Sequence, residues 1–218
     1  MITEIGMMKT EVVYNDTKTD RYRLAKIWDE TKSVTSLLMI QAGSADTVVV
    51  DMTNLYCIRN LHALNMGGFD ILNISSRIEE RLNAKEIALD ETNVEEILAS
   101  INRTGQCLIC WGKIGESNAK VAEVQRQLLN RLESVEDKLF TIVTDSGACW
   151  HPIAPQIRHE WQIERFTRPD YLKAKPEAKP EQADPSATSE ATEPETDSTK
   201  KTKQQRKNTN RQPRAEKL

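Results

Sequence analysis

Four short apolar runs punctuate this 218-residue chain: Leu37-Leu38-Met39-Ile40, Phe69-Asp70-Ile71-Leu72-Asn73, Cys107-Leu108-Ile109-Cys110-Trp111 and Phe140-Thr141-Ile142-Val143. Apolarity sustained over so few residues describes a strand covered on both faces. Helical patterns alternate with the runs. Residues 54–66 carry Leu55, Ile58, Leu61 and Leu64, then meet Gly67-Gly68, a helix stop signal. Thr92-Asn93-Val94-Glu95 reads as a capping box ahead of Val94, Ile97, Leu98 and Ile101. Residues 117–135 set Val121, Val124, Leu128, Leu132 and Val135 on one stripe. Strands alternating with helices need right-handed crossovers, which predicts an α/β fold: a three-layer α/β/α sandwich around a mostly parallel sheet of roughly four strands. Ahead of it, residues 11–14 and 21–28 flank a polar stretch and form either an antiparallel hairpin or a strand followed by a helix. Val48-Val49-Val50 is either a strand or part of the loop into the next helix, which Asp51 or Thr53 would cap.

The aromatic residues set the limits of this core. All eleven lie between Tyr14 and Tyr171, and none follows. Residues 1–171 are therefore expected to form the α/β core domain, and 172–218 a disordered tail that buries too little apolar surface to offset its ordering entropy. The net charge of −3 conceals an acidic core and a divided tail. Residues 181–197 hold six acids and no base, whereas 200–217 hold eight bases and one acid. The basic block, with Lys200, Lys201, Lys203, Arg206, Lys207, Arg211 and Arg214, reads either as a salt-sensitive hook for nucleic acid or as a solubilising tail. The acidic core argues against a broad DNA-binding face on the domain itself. No apolar run approaches a membrane span, no secretory signal is legible, and four cysteines do not suggest a disulfide framework, which together predict a cytoplasmic protein.

Ligands of open α/β sheets bind at the carboxyl ends of the strands, and that rule selects four loops. The first holds Gln41, Ser44 and Asp46 and reaches on to Asp51 and Thr53; the second starts at Asn73; the third holds Trp111 and Gly112; the fourth leads to His151 and Pro152. Gly112-x-x-Gly115 with Ser117 is either a weak phosphate loop or, more simply, a tight strand-to-helix turn. His151 is a candidate acid, base or hydrogen-bond donor held extended by Pro152, while His62 and His159 are weaker candidates and His62 reads as structural. Cys107-x-x-Cys110 resembles a redox or metal pair, but strand alternation sends its side chains to opposite faces and no second pair completes a zinc site. The expectation is two buried structural thiols, with no metal and no cofactor.

The order of these motifs resembles a bacterial and phage family known as domain of unknown function 1643. Its members show R-Y-x-L…W, N-P-S-x-A-D, D-x-T, N-L-F, W-G and H-P-L in sequence. Here Arg21-Tyr22-Arg23-Leu24 and Trp28 resemble the start, and Ala45-Asp46 the end of the second motif. Asp51 and Thr53 match D-x-T, Asn73 the Asn of N-L-F, Trp111-Gly112 W-G, and His151-Pro152-Ile153 H-P-L. Gln41-Ala42-Gly43 stands where the family has Asn-Pro-Ser, and Ile74-Ser75 replaces Leu-Phe. The family's layout is in turn similar to the uracil-DNA glycosylase superfamily, where the first motif positions a hydrolytic water and the second contacts a flipped nucleotide. That resemblance implies catalytic roles for Asp51 as base or water-positioner, Asn73 as base-edge reader and His151 as oxyanion or phosphate donor. It implies ligand contacts from Gln41, Ser44, Asp46, Thr53, Trp111, Gly112 and Pro152, with Gln41 able to hold a water.

Three functions follow. The first is a nucleic-acid- or nucleotide-associated binding module of bacterial, phage or mobile-element origin, its chemistry degenerate and its tail adding affinity. The second is an N-glycosidic hydrolase. The third is a protein-interaction factor on a degenerate scaffold. Nothing in the residues sets the oligomeric state.

Overall fold

The computed structural model describes residues 1–144 and 150–173. In chain order the elements are β1 (Lys9–Tyr14), β2 (Arg21–Ile27), β3 (Val34–Ala42), α1 (Met52–Ala63), β4 (Gly68–Ile78), α2 (Glu91–Thr104), β5 (Cys107–Ile109), α3 (Ile114–Ser117), α4 (Ala119–Arg131), β6 (Leu139–Val143) and β7 (Gln162–Arg165), with short 3-10 helices after α4 and β7. The seven strands form one sheet in the order β1-β2-β4-β3-β5-β6-β7. The four central strands, β4, β3, β5 and β6, are parallel and correspond to the four apolar runs. Antiparallel strands flank them on both sides, β1 and β2 at one edge and β7 at the other.

The expected sheet of roughly four mostly parallel strands is thus too small: it is mixed and seven-stranded. The N-terminal alternatives resolve to a hairpin. The Asn15 carboxamide oxygen accepts from the backbone N–H groups of Thr19 and Asp20, and Lys18 takes a positive φ of 55°, so side-chain bonding closes the turn locally. β7 escapes sequence reading because Gln162-Ile163-Glu164-Arg165 holds one apolar residue and covers an edge, not the centre.

Helices lie on both faces, as crossover handedness requires. The chain leaves β3 toward one edge and β5 toward the other, which places α1 on one face and α2 with α4 on the opposite one. Leu37, Met39, Leu108, Cys110 and Ile142 pack with Cys57 and Leu61 of α1. Leu38, Ile40, Leu72, Ile109 and Trp111 pack with Val94, Ile97 and Ile101 of α2 and with Val121, Val124 and Leu128 of α4. Cys107 and Cys110 fall in opposite clusters, as strand alternation requires, and both are buried. Burial pushes the Cys107 thiol far above its usual value, which makes it unreactive.

Three local expectations shift. The buried face of α1 is Asn54, Cys57, Asn60 and Leu61, while Leu55 and Leu64 of the expected stripe are exposed. Asn60 belongs inside because its amide donates to the carbonyls of Tyr56 and Arg158 and ties the helix to the 150–161 segment. The cap of α2 is Asp90, not Thr92, and its carboxylate accepts from the N–H groups of Thr92 and Asn93. The single long helix expected over 117–135 divides into α3, α4 and a 3-10 turn, with Asn118 capping α4.

Gly67-Gly68 stops no helix directly. Helix α1 has already closed, with Asn65 in the left-handed region at φ 59°. The glycines are needed for close approach: a Cβ on Gly67 would stand 2.0 Å from the Asp29 carbonyl oxygen, and one on Gly68 2.6 Å from that of Lys26. Backbone cannot yield as a side-chain tip can. Gly67→Ala should therefore destabilise by about 1–3 kcal/mol, whereas Gly6→Ala, which meets nothing within 4 Å, should be neutral; urea unfolding of the two variants tests the contrast.

Candidate functional site

Opposite chain directions from β3 and β5 make the carboxyl ends of the central strands a crevice. A cavity of about 80 Å³ lies there, lined by Arg21, Met39, Gln41, Gly43, Asp51, Thr53, Asn54, Ile71, Asn73 and His151. The three residues read from sequence as catalytic, Asp51, Asn73 and His151, thus share one small cavity. Among the described residues no cluster of histidine, cysteine, aspartate or glutamate could hold a metal ion.

Arg21 organises the site. Its side chain is buried, and Nη1 donates to the carbonyls of Gly43 at 3.1 Å and Ala45 at 2.8 Å. Nη2 donates to Asn73 Oδ1 at 3.2 Å. Among the described residues Nε finds no protein partner. Burial works against its charge, opposed by Tyr14 and Asp51, yet a guanidinium stays protonated under such a load. One cation from β2 therefore pins both the loop after β3 and the Asn73 side chain midway along β4.

Asn73 is held at both ends, since its Nδ2 also donates to the Gln41 carbonyl at 2.7 Å. These bonds fix which end of the amide is oxygen. One lone pair and one N–H remain for a ligand. The main chain there is braced too: Asn93 of α2 donates to the carbonyls of Asn73 and Ile74.

Asp51 caps α1, as one of the two sequence alternatives required. Its Oδ1 accepts from both the backbone N–H and the side-chain amide of Asn54, each at 2.8 Å. Oδ2 is not used in these bonds and lies toward Gly43, 3.6 Å from where a Cβ there would stand. Glycine keeps that approach open. His151 stands over Gly112, whose missing Cβ would lie 3.5 Å from the His151 Cβ and whose φ is +71°. Its Nδ1 faces the Ile153 N–H at 3.4 Å, which favours the tautomer with the proton on Nε2. Burial lowers its pKa from 6.5 while the Asp51 charge opposes the shift, so the imidazole is neutral near neutral pH.

The other sequence candidates fall in several places. Thr53 lines the cavity, and Gly112 and the buried Pro152 shape the seat of His151. Gln41 lines it as well, and its side-chain amide donates to the Glu79 carbonyl at 2.8 Å. Ser44 is exposed on the loop outside the lining. Asp46 closes a turn by accepting from the N–H groups of Val48 and Val49, which holds its carboxyl below the usual range. Trp111 does not reach the cavity; it is buried on the opposite face, edge-on to Phe166 at 5.9 Å. Gly115 is a packing glycine against Gln125 and Tyr171, so the Gly112-x-x-Gly115 stretch serves as a tight turn. His62 and His159 are exposed. Lys200, Lys201, Lys203, Arg206, Lys207, Arg211 and Arg214 lie outside the described residues.

Sequence reasoning passed over Arg21 and Asn54 as site residues. The signal for Arg21 was present, because it opens the Arg21-Tyr22-Arg23-Leu24 motif ahead of a strand, where an arginine has no reason to be buried unless acceptors await it. The family model described as a protein of unknown function (DUF1643) matches residues 21–153. No curated protein and no solved structure matches the chain.

Two measurements probe this geometry. Arg21→Gln leaves the Gly43 and Ala45 carbonyls and Asn73 without their donor, and should cost about 2–3 kcal/mol in urea unfolding. The His151 pKa is lower folded than unfolded, so the unfolded chain takes up more protons below pH 6.5. Stability should then fall as pH drops from 6.5 toward the folded pKa and level off beneath it, and His151→Gln should flatten that part of the profile.

Proposed function

The chain belongs to the DUF1643 family, and from that premise we propose that the cavity at the carboxyl ends of β3 and β4 is a hydrolytic site acting on an N-glycosidic bond of a nucleotide-class substrate. The observation that carries this reading is the convergence of three differently equipped groups on one cavity. Asp51 brings a carboxylate oxygen outside its cap bonds, His151 a neutral imidazole, and Asn73 an amide of fixed orientation.

The roles follow from what each group has left to offer. Asp51 Oδ2 accepts a proton from a water and directs its oxygen at the anomeric carbon. The carbon–nitrogen bond breaks with its electron pair passing to the leaving base. The Nε2–H of His151 donates to the oxygen on which that charge collects. Asn73 pairs with the edge of the base through its remaining N–H and lone pair. The cavity takes a few waters or one polar edge of a ligand, so the sugar and whatever it is attached to lie outside it. Gln41 is engaged by Glu79, so holding the water falls to Asp51. The parallel with the uracil-DNA glycosylase layout, a first-loop group for water and a His-Pro step for the nucleotide, points the same way at the level of motif order.

Base release from free nucleosides and from single- and double-stranded oligonucleotides carrying deaminated or alkylated bases, followed by chromatography, tests the reading. Asp51→Asn should lower the rate by about 10²–10⁴-fold, and His151→Ala by about 10²–10³-fold. No base release from any member of the panel, or a rate unchanged in Asp51→Asn, would overturn it. Retained nucleotide binding without release would leave a binding module at the same cavity.

A further inference from the structure

A larger cavity lies away from this site. It measures about 620 Å³, within the roughly 300–1,000 Å³ of small-molecule sites. It opens at the amino-terminal end of the parallel strands, where β1 and β2 run past the last turn of α2. Its apolar part is supplied by Ala25, Ile27 and Val34. Its polar part is four cations, Lys9, Arg23, Lys32 and Arg103, against two carboxylates, Glu11 and Asp70.

The arrangement of these charges is ordered. Asp70 is buried on β4 and pairs with both Arg103 and Arg23. Arg23 is also bound to Glu11 and, through Nε, to Glu96 at 2.7 Å. Each arginine is therefore held by carboxylates before any ligand arrives, which lowers the ordering cost of binding. Arg103 spends only Nη2, on Asp70 and Ser100, and keeps Nε and Nη1 for another acceptor. Lys9 and Lys32 stand at the rim, the first 3.9 Å from Glu30 in an exposed pair and the second 3.3 Å from Asp29 in a half-buried one. Pairs open to solvent in this way hold weakly and give way to a better anion. The hydroxyl groups of Ser33 and Thr104 complete the lining. Among the lining residues positive charge exceeds negative by two, with Glu96, Glu30 and Asp29 paired to them from outside the lining.

We propose that this cavity is a second binding site, separate from the hydrolytic one, for a small anionic molecule that presents phosphate or carboxylate groups to Arg103, Lys32 and Lys9 and seats a compact apolar body on Ala25, Ile27 and Val34. Nothing in the proposal depends on the activity assigned to Asp51 and His151.

Thermal unfolding and titration calorimetry of the full chain test it, with inorganic pyrophosphate as the phosphate probe and citrate as the carboxylate probe. Ionic strength is matched with sodium chloride. One of the two should raise the melting temperature and bind, and Lys32→Gln and Arg103→Gln should each weaken it by about tenfold or more, while Asp51→Asn leaves it unchanged. The probe that binds identifies the headgroup. Arg103→Gln also strips a partner from buried Asp70, whereas Lys32→Gln and Lys9→Gln touch rim side chains alone, so the test survives misfolding of the first variant. Absence of binding by both probes, binding indifferent to all three substitutions, or binding lost only in Asp51→Asn would overturn the proposal.

Discussion

The candidate site depends on one buried cation. Placing the Arg21 guanidinium in the interior is costly unless acceptors meet it, and three do: the carbonyls of Gly43 and Ala45 and the side chain of Asn73. Each of these acceptors would itself be stranded without the arginine. The loop after β3 has no regular ladder to hold it, so its path past Asp51 is set by those two carbonyl bonds. Asn73 in turn is oriented by Arg21 on one side and by the Gln41 carbonyl on the other. The cavity is therefore a consequence of satisfying an arginine, and its polar groups are pre-organised by the same bonds that make it stable.

A second arginine on the same strand does parallel work at the other cavity. Arg23, two residues beyond Arg21, joins Glu11, Asp70 and Glu96, and Asp70 extends the set to Arg103 of α2. β2 is antiparallel to β4, so its start lies beside the carboxyl end of β4 and its finish beside the amino end. That geometry explains how one strand of the hairpin serves both cavities. The N-terminal hairpin is not an appendage to the parallel core; it supplies the charge at both functional candidates.

The exposed apolar run that leads into Asp51 fits the same account. Val48, Val49 and Val50 are exposed because Asp46 turns the chain outward ahead of Asp51, and the polar face of α1 turns inward. An apolar run outside and an asparagine pair inside reverse the usual arrangement, and both follow from needs of the loop and the cap.

The residues themselves were enough to specify the four parallel strands, the alternation with helices, the opposite fates of Cys107 and Cys110, the capping role open to Asp51, and the loops on which Asp51 and His151 sit. These are period and end-signal properties, which depend on neighbours within a few positions. Asn73, expected to open a loop, lies instead within β4. The sheet order, the enrolment of the hairpin and of β7, and the inward face of α1 were decided by tertiary structure. So was the removal of Trp111 to the far face, along with the engagement of Gln41 by Glu79. Each of those outcomes turns on a partner distant in sequence: 52 residues separate Arg21 from Asn73, and 98 separate Asn60 from Arg158. A buried polar side chain goes where its acceptors are, and no local pattern records where the fold will bring them.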